Sequence, residues 1–244
     1  MKQSLFSITE NKALTENVMK MCLRGDTSAI TAPGQFVNIK LDGMYLRRPI
    51  SVCDCEGDIL TIVYKVVGKG TEKMQKMSSG TLDILTGLGN GYDTSKSGQR
   101  PLLIGGGAGV PPMYMLAKQL ISEGKNVSVI LGFNTESEIF FEQEFKNLGA
   151  KVTVTTADGS YGVNGFVTDA MKDADYSYFY TCGPEPMLRA VYNMSVTDGQ
   201  FSFEERMGCG FGACMGCSCK TVTGYKRICK DGPVLKKEEI LWEK

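Results

Sequence analysis

Apolar residues alternate with polar ones through the first third of the chain, in short runs broken by turn formers. Ser4–Glu10, Glu16–Leu23, Gln35–Leu41, Ile50–Cys55 and Ile59–Val66 carry this period-two or β-branched pattern. Ala32-Pro33-Gly34, Asp42-Gly43 and Glu56-Gly57-Asp58 separate them. Strands at this spacing predict a sandwich or barrel, with one short helix over Thr71–Met77. A turn-rich stretch, 87–100, then marks a boundary. Beyond Pro101 the rhythm changes. Strand-like runs at Leu102–Ile104, Val127–Leu131, Val152–Thr155 and Tyr178–Thr181 alternate with helical stretches at about Pro112–Glu123, Glu138–Leu148, Gly165–Met171 and Glu185–Tyr192. Repeated β–α units predict a parallel sheet covered on both faces. The chain therefore divides into 1–98, 99–200 and a tail, 201–244.

Composition narrows the picture. Lys plus Arg and Asp plus Glu both number 27, so no net field draws the chain to nucleic acid or an anionic membrane. No apolar run is long enough to span a bilayer, and Met1–Ile8 lacks the apolar region of a signal peptide. Nine cysteines without such a signal point to a reducing cytoplasm and metal chemistry. The chain has no histidine, which removes Rieske ligation and histidine-based triads.

Cys209, Cys214 and Cys217 are spaced C-x4-C-x2-C, with Cys229 downstream; this is the plant-type pattern for a 2Fe–2S cluster. Soft thiolates suit iron–sulfur chemistry, and Gly210, Gly212 and Gly216 let the loop turn sharply between them. Thr221–Ile228 reads as a hairpin that returns the fourth ligand. An all-cysteine zinc site more often pairs C-x2-C with a second such pair or with histidines, and a disulfide knot needs an oxidising compartment. Cys219 is a spare thiol, not a ligand.

Gly105, Gly107 and Gly109 lie in Ile104–Pro112, between a strand and a helix opened by proline. Glycines there let a diphosphate approach the backbone at a helix start. The loop lacks the Lys-Ser/Thr ending of a P-loop. Cys182, Gly183 and Pro184 form a second strand-to-helix turn that faces the same crevice. In the first region, Arg48 in Arg48-Pro49-Ile50-Ser51 can meet a phosphate bidentately, and Ser51 can bond a ring atom. Gly68-Lys69-Gly70-Thr71 ends a strand and offers free N–H donors, with Thr71 a candidate helix cap. Nicotinamide moves electrons as a hydride pair and a 2Fe–2S centre takes them singly. A flavin does both, so a chain with both features calls for a flavin between them.

These residues together resemble the ferredoxin–NADP reductase superfamily. Arg48–Ser51 and Gly68–Thr71 look like its flavin motifs; Gly105–Pro112 and Cys182–Pro184 look like its nicotinamide-nucleotide motifs. With the cysteine tail, the chain resembles the electron-transfer subunits of type B, NAD-dependent dihydroorotate dehydrogenases, over essentially its whole length. The resemblance implies an N-terminal flavin-binding antiparallel β-barrel holding FAD, a Rossmann-like parallel-sheet NAD domain and a small C-terminal 2Fe–2S module. It implies a catalytic role for Cys182, a partner dihydroorotate dehydrogenase catalytic subunit that holds FMN, and a heterotetramer with two copies of each subunit. Two departures stand out. Ile50 replaces the superfamily's usual tyrosine, and the chain runs on past the point where an aromatic residue often covers the flavin. The loop after the second α/β strand, Leu131–Ser137, carries no arginine for a 2′-phosphate, which favours NAD. Rival readings are a ferredoxin:NADP oxidoreductase small subunit, a hydrogenase-associated diaphorase and, from a different class, a colourless zinc-bound interaction module.

Overall fold

The computed structural model describes residues 1–242. Six strands close into an antiparallel barrel: β1 (Lys2–Ala13), β2 (Val18–Arg24), β3 (Phe36–Ile39), β4 (Arg48–Glu56), β5 (Ile59–Lys65) and β6 (Thr81–Leu88), in the order β1-β2-β5-β4-β3-β6. Helix α1 (Lys69–Gln75) follows β5. Closure removes the open edges that a sandwich would leave. The strand that completes it, β6, was hidden in the sequence: the Ile84-Leu85 pair breaks the alternation and Gly87 reads as a turn. Gly87 does take a left-handed φ of 67°, yet the strand passes through it, and a β-carbon there would fall 2.7 Å from the Ala29 carbonyl oxygen.

The second unit alternates strands and helices: β7 (Pro101–Gly106), α2 (Pro111–Ser122), β8 (Ser128–Phe133), α3 (Glu142–Asn147), β9 (Lys151–Thr156), β10 (Val163–Asn164), α4 (Val167–Met171), β11 (Tyr178–Cys182), α5 (Glu185–Met194) and β12 (Gly199–Ser202). A hairpin of β13 (Ser218–Thr221) and β14 (Gly224–Arg227), then α6 (Ile228–Asp231) and β15 (Val234–Lys236), complete the described chain. The large sheet runs β10-β9-β8-β7-β11-β12-β15, parallel except for β15. Its last two strands carried no clear signal in the sequence. Both are short, and β15 reaches the sheet edge by pairing antiparallel with β12. The helix expected over Glu138–Leu148 is shorter. Phe141 sits at a left-handed φ of 69°, so only Glu142–Asn147 is α-helical. Such a conformation is costly for a bulky residue. Here edge-to-face contacts with Tyr114 and Phe140, at centroid distances of 5.3 and 5.9 Å, hold the ring in the core.

Three apolar cores join these parts. One fills the barrel around Phe6, Met21, Val37, Ile39 and Leu60. A second packs the α2 face of the sheet against barrel residues Val18, Cys53 and Val63. The third takes Phe36, Leu85 and Leu88 from the barrel, Ile104, Phe179 and Phe201 from the sheet, and Cys217, Ile228 and Cys229 from the tail. The connecting stretch is fastened too. Tyr92 Oη donates to the Thr181 carbonyl (3.2 Å), and Gln200 Nε2 donates to the Asp93 carbonyl (2.8 Å). Asn90 is the main tie to the tail. Its N–H donates to the Gly232 carbonyl (2.7 Å), Nδ2 to the Val234 carbonyl (2.8 Å), and Oδ1 accepts from the Val234 N–H (3.1 Å). Asn90→Ala removes the side-chain pair and leaves Val234 backbone groups unmatched. The expected loss is about 1–3 kcal/mol of stability, read by urea denaturation, with faster hydrogen exchange in β15; unchanged exchange there refutes the tie.

Candidate functional site

The nucleotide turn is built by two glycine contacts. β7 and β11 are parallel neighbours, with Cys182 in register with Gly105. A β-carbon on Gly109 would lie 2.2 Å from the Cys182 carbonyl oxygen, so only glycine lets the two strand-end turns close on each other. Gly107 differs: its φ is 50°, and no atom lies within 4 Å of where its β-carbon would be. It presents bare backbone to open space at the start of α2, which fits the close approach of a diphosphate. Gly183 and Pro184 complete the turn before α5, with Gly183 close to Met187. Asn17, Lys65, Phe133, Glu138 and Phe140 line the narrow crevice at Gly107 and Ala108. No motif marks Asn17 or Lys65, which come from the barrel. Glu138 brings an acid to this crevice, and its carboxylate accepts from Asn134 Nδ2 (2.9 Å). An acid there favours ribose hydroxyls over a 2′-phosphate.

Cys182, at the end of β11, is half-buried. Burial pushes its thiol up to about 12, with Glu204 adding to the rise and Ser202 opposing it. At neutral pH it is therefore a neutral thiol and not a thiolate nucleophile.

On the barrel, Arg48, Pro49, Ile50 and Ser51 open β4. The two arginines part company. Arg47 is held in the wall, donating to the Asn38 and Asp83 carbonyls (3.2 and 3.1 Å) and pairing with the Asp83 carboxylate at 2.9 Å. Arg48 has no carboxylate partner among the described residues and lies over Gly70, where a β-carbon would fall 2.2 Å from its Nε. A guanidinium without an acid, laid on a glycine turn at a helix start, fits a phosphate. Ser51 Oγ has no hydrogen bond among the described residues. Thr71 is not the cap of α1. Gly68 takes that position, and Thr71 Oγ1 accepts from the N–H groups of Val67 (3.0 Å) and Gly68 (3.2 Å), shaping the Gly68-Lys69-Gly70 turn from inside the first helical turn. The aromatic missing at Ile50 is not supplied by Trp242. That ring packs on Tyr192 and Phe201 at 5.4 and 5.7 Å, under the Arg189 guanidinium. A separate cavity of about 240 Å³ near Lys40 and Lys73 is lined by none of 48–51 or 68–71.

The cysteine loop holds its thiols in pairs. The N–H groups of Phe211, Ala213 and Cys214 donate to Cys209 Sγ at 3.5, 3.2 and 3.5 Å. The Cys229 N–H donates to Cys217 Sγ at 3.4 Å. Burial pushes Cys209 up, but the N–H groups of Phe211, Cys214 and Ala213 and the Cys214 thiol outweigh it and bring it down to about 6. Cys229 is pushed up to about 12 by burial and by the adjacent Cys217 and Cys209 sulfurs. Among the described residues, no three His, Cys, Asp or Glu side chains gather as ligands of a single ion. Cys209 neighbours Cys214 instead, and Cys217 neighbours Cys229. Soft thiolates held by backbone N–H groups are the donor set that an iron–sulfur cluster takes. Gly210 and Gly212 take left-handed φ values of 78° and 90°, and Arg227 Nη1 donates to the Gly212 carbonyl at 2.9 Å. Cys219 Sγ turns to the Lys220 carbonyl (3.7 Å) and belongs to neither pair. All nine cysteines are free thiols.

Comparison with known proteins agrees with this arrangement. Residues 204–241 match the family described as the iron-sulfur cluster binding domain of dihydroorotate dehydrogenase B. Residues 103–193 match the oxidoreductase NAD-binding domain. The chain is 41% identical over 256 residues to the dihydroorotate dehydrogenase B (NAD(+)) electron transfer subunit of Geobacillus sp. (strain WCH70), covering 99% of each chain. It is 43% identical over 245 residues to the subunit of the same name from Fusobacterium nucleatum, covering 93% of this chain and 94% of the other. Among solved structures, an NADH-dependent reduced ferredoxin-NADP oxidoreductase superposes with a TM-score of 0.88 at 30% identity, over 97% of this chain and 90% of that one.

Two substitutions test the site. Cys214 is exposed, so Cys214→Ser leaves the packing intact; iron per chain should fall well below wild type while flavin absorbance is kept, and unchanged iron removes Cys214 from the ligand set. Gly107→Ala places a methyl in open space, at a conformational cost of about 1–2 kcal/mol. The dissociation constant for NADH should rise at least about tenfold; an unaltered affinity by titration rejects the assigned turn.

Proposed function

The chain belongs to the family of electron transfer subunits of dihydroorotate dehydrogenase B (NAD(+)), and on that footing we propose that it passes electrons between a dihydroorotate-oxidising partner subunit and NAD, in de novo pyrimidine synthesis. Bound FAD exchanges a hydride with nicotinamide and single electrons with a 2Fe–2S cluster, which links the two chemistries. The observation that carries this reading is the four-cysteine loop, with N–H groups donating to Cys209 Sγ and Cys217 Sγ, inside the segment that matches the iron–sulfur family.

Each residue set has a defined task. Cys209, Cys214, Cys217 and Cys229 ligate the cluster, and the N–H groups on Cys209 Sγ stabilise ligand charge and so help set the potential. Arg48 and the Gly68–Thr71 turn hold the FAD phosphates, and Pro49, Ile50 and Ser51 border its ring. Gly105, Gly107 and Gly109 take the NAD diphosphate; Gly183 and Pro184 shape the opposite wall. Cys182 lines the nicotinamide position as a neutral thiol, where it orders the ring without competing as a nucleophile. The functional units are taken as 1–98, 99–200 and 201–244; the last boundary falls inside β12, and β15 adds the tail to the same sheet.

The partner is a catalytic subunit that holds FMN, and two copies of each chain assemble. No helix among the described residues is long and apolar enough to cross a membrane; the free thiols fit the cytoplasm. The solved ferredoxin-NADP oxidoreductase keeps a related electron-transfer role in view. The higher identity to the dihydroorotate dehydrogenase subunits and the match over 204–241 favour the reading given.

The test is direct. The isolated chain should reduce an artificial acceptor with NADH, show a cluster signal in electron paramagnetic resonance after dithionite reduction, and form no orotate from dihydroorotate. Orotate formation by this chain alone overturns the division of labour. A silent, zinc-containing sample overturns the cluster.

A further inference from the structure

The barrel touches the cluster loop through a side chain that no motif singles out. Asn38 lies on β3 and is 1% exposed. Its neighbours Val37 and Ile39 point into the barrel core, so Asn38 and Phe36 point outward, and Phe36 enters the core shared with the sheet and the tail. Across the ladder, Asn38 is in register with Pro49 and Phe36 with Ser51. Asn38 therefore stands on the same outer face, beside the strand assigned to the flavin. Its Nδ2 donates to the carbonyl oxygen of Cys209 at 3.2 Å. The next residue, Gly210, has a left-handed φ, and a β-carbon there would fall 2.3 Å from Asn38 Nδ2. The loop is thus shaped to bring its backbone onto this one amide. Arg47 fixes the other side of the residue by donating to the Asn38 carbonyl at 3.2 Å.

One atom of this arrangement is left over. Asn38 Oδ1 is buried and accepts no hydrogen bond from the described residues. A buried amide oxygen without a donor is costly, and native chains rarely keep one unless something else completes it. We infer that Asn38 is a positioning residue that bridges the two redox sites: Nδ2 clamps the cluster loop at Cys209, and Oδ1 accepts from an N–H or hydroxyl of the flavin held along β4. The inference rests on the cofactor assignment above and adds to it a residue that sets the cluster and flavin relative to each other. The clamp holds the carbonyl of a cluster ligand, so its loss moves the ligand and the N–H groups around its sulfur.

The test uses Asn38→Leu, which keeps the volume and removes both polar atoms, and Asn38→Asp, which keeps an acceptor and removes the donor. Iron and FAD content are measured first; wild-type protein that lacks either one refutes the cofactor reading itself, not the bridge. In iron- and FAD-replete variants, the cluster midpoint potential should shift in a redox titration followed by electron paramagnetic resonance. Transfer from NADH-reduced flavin to the cluster should slow by about tenfold in stopped flow. An unmoved potential together with an unchanged transfer rate overturns the bridge. Should neither variant accumulate folded, the wild-type chain provides the measurement. Release of FAD should speed hydrogen exchange in 209–214, and exchange there that ignores FAD overturns the inference.

Discussion

The arrangement depends on one apolar core that the tail cannot build alone. Cys217, Ile228 and Cys229 are buried with Phe36 and Leu88 of the barrel and with Ile104, Phe179 and Phe201 of the sheet. A loop of glycines and cysteines has too little apolar surface to fold by itself, so it borrows a wall from each neighbour. Two of the four thiols are thereby taken into the interior, and Cys209 stays half-buried and Cys214 exposed at the rim. The ligand loop is consequently fixed to both the barrel and the large sheet.

Glycine does different work at each turn. Gly109 is needed because Cys182 and Gly183 press against it, and Gly210 because Asn38 occupies the space a side chain would take. Gly107 is needed for the opposite reason, since its face is open. In the first two cases the space is filled by protein; in the third it is open. The arginines differ in a related way. Arg47 pairs with the Asp83 carboxylate and two carbonyls, whereas Arg48 donates to the Leu46 and Arg47 carbonyls and meets no carboxylate among the described residues.

Much of this was legible in the residues. The C-x4-C-x2-C spacing and downstream cysteine marked the cluster loop, and the structure supplies the hairpin expected ahead of Cys229. The glycine run fell at a strand-to-helix junction, as its composition implied. Less was legible where two rules competed. Thr71 reads as a cap, yet Gly68 caps and Thr71 serves the turn behind it. The apolar run Ile139-Phe140-Phe141 reads as helix, yet aromatic packing holds Phe141 left-handed and delays the helix start to Glu142.

The sequence alone determined local chemistry: which ligands lie within a few residues of each other, where strands alternate with helices, and which turns expose N–H groups. Those properties depend on periodicity and spacing, which a single chain displays directly. Only the tertiary structure decided what meets across long separations. Asn38 reaches Cys209 from 171 positions away, Asn90 clamps Val234 from 144, and β15 adds itself to a sheet begun at Pro101. Such contacts arise from the closure of the barrel and the stacking of shared cores. They leave no repeat in the sequence, because each partner's residue type satisfies its own strand or loop equally well without the other.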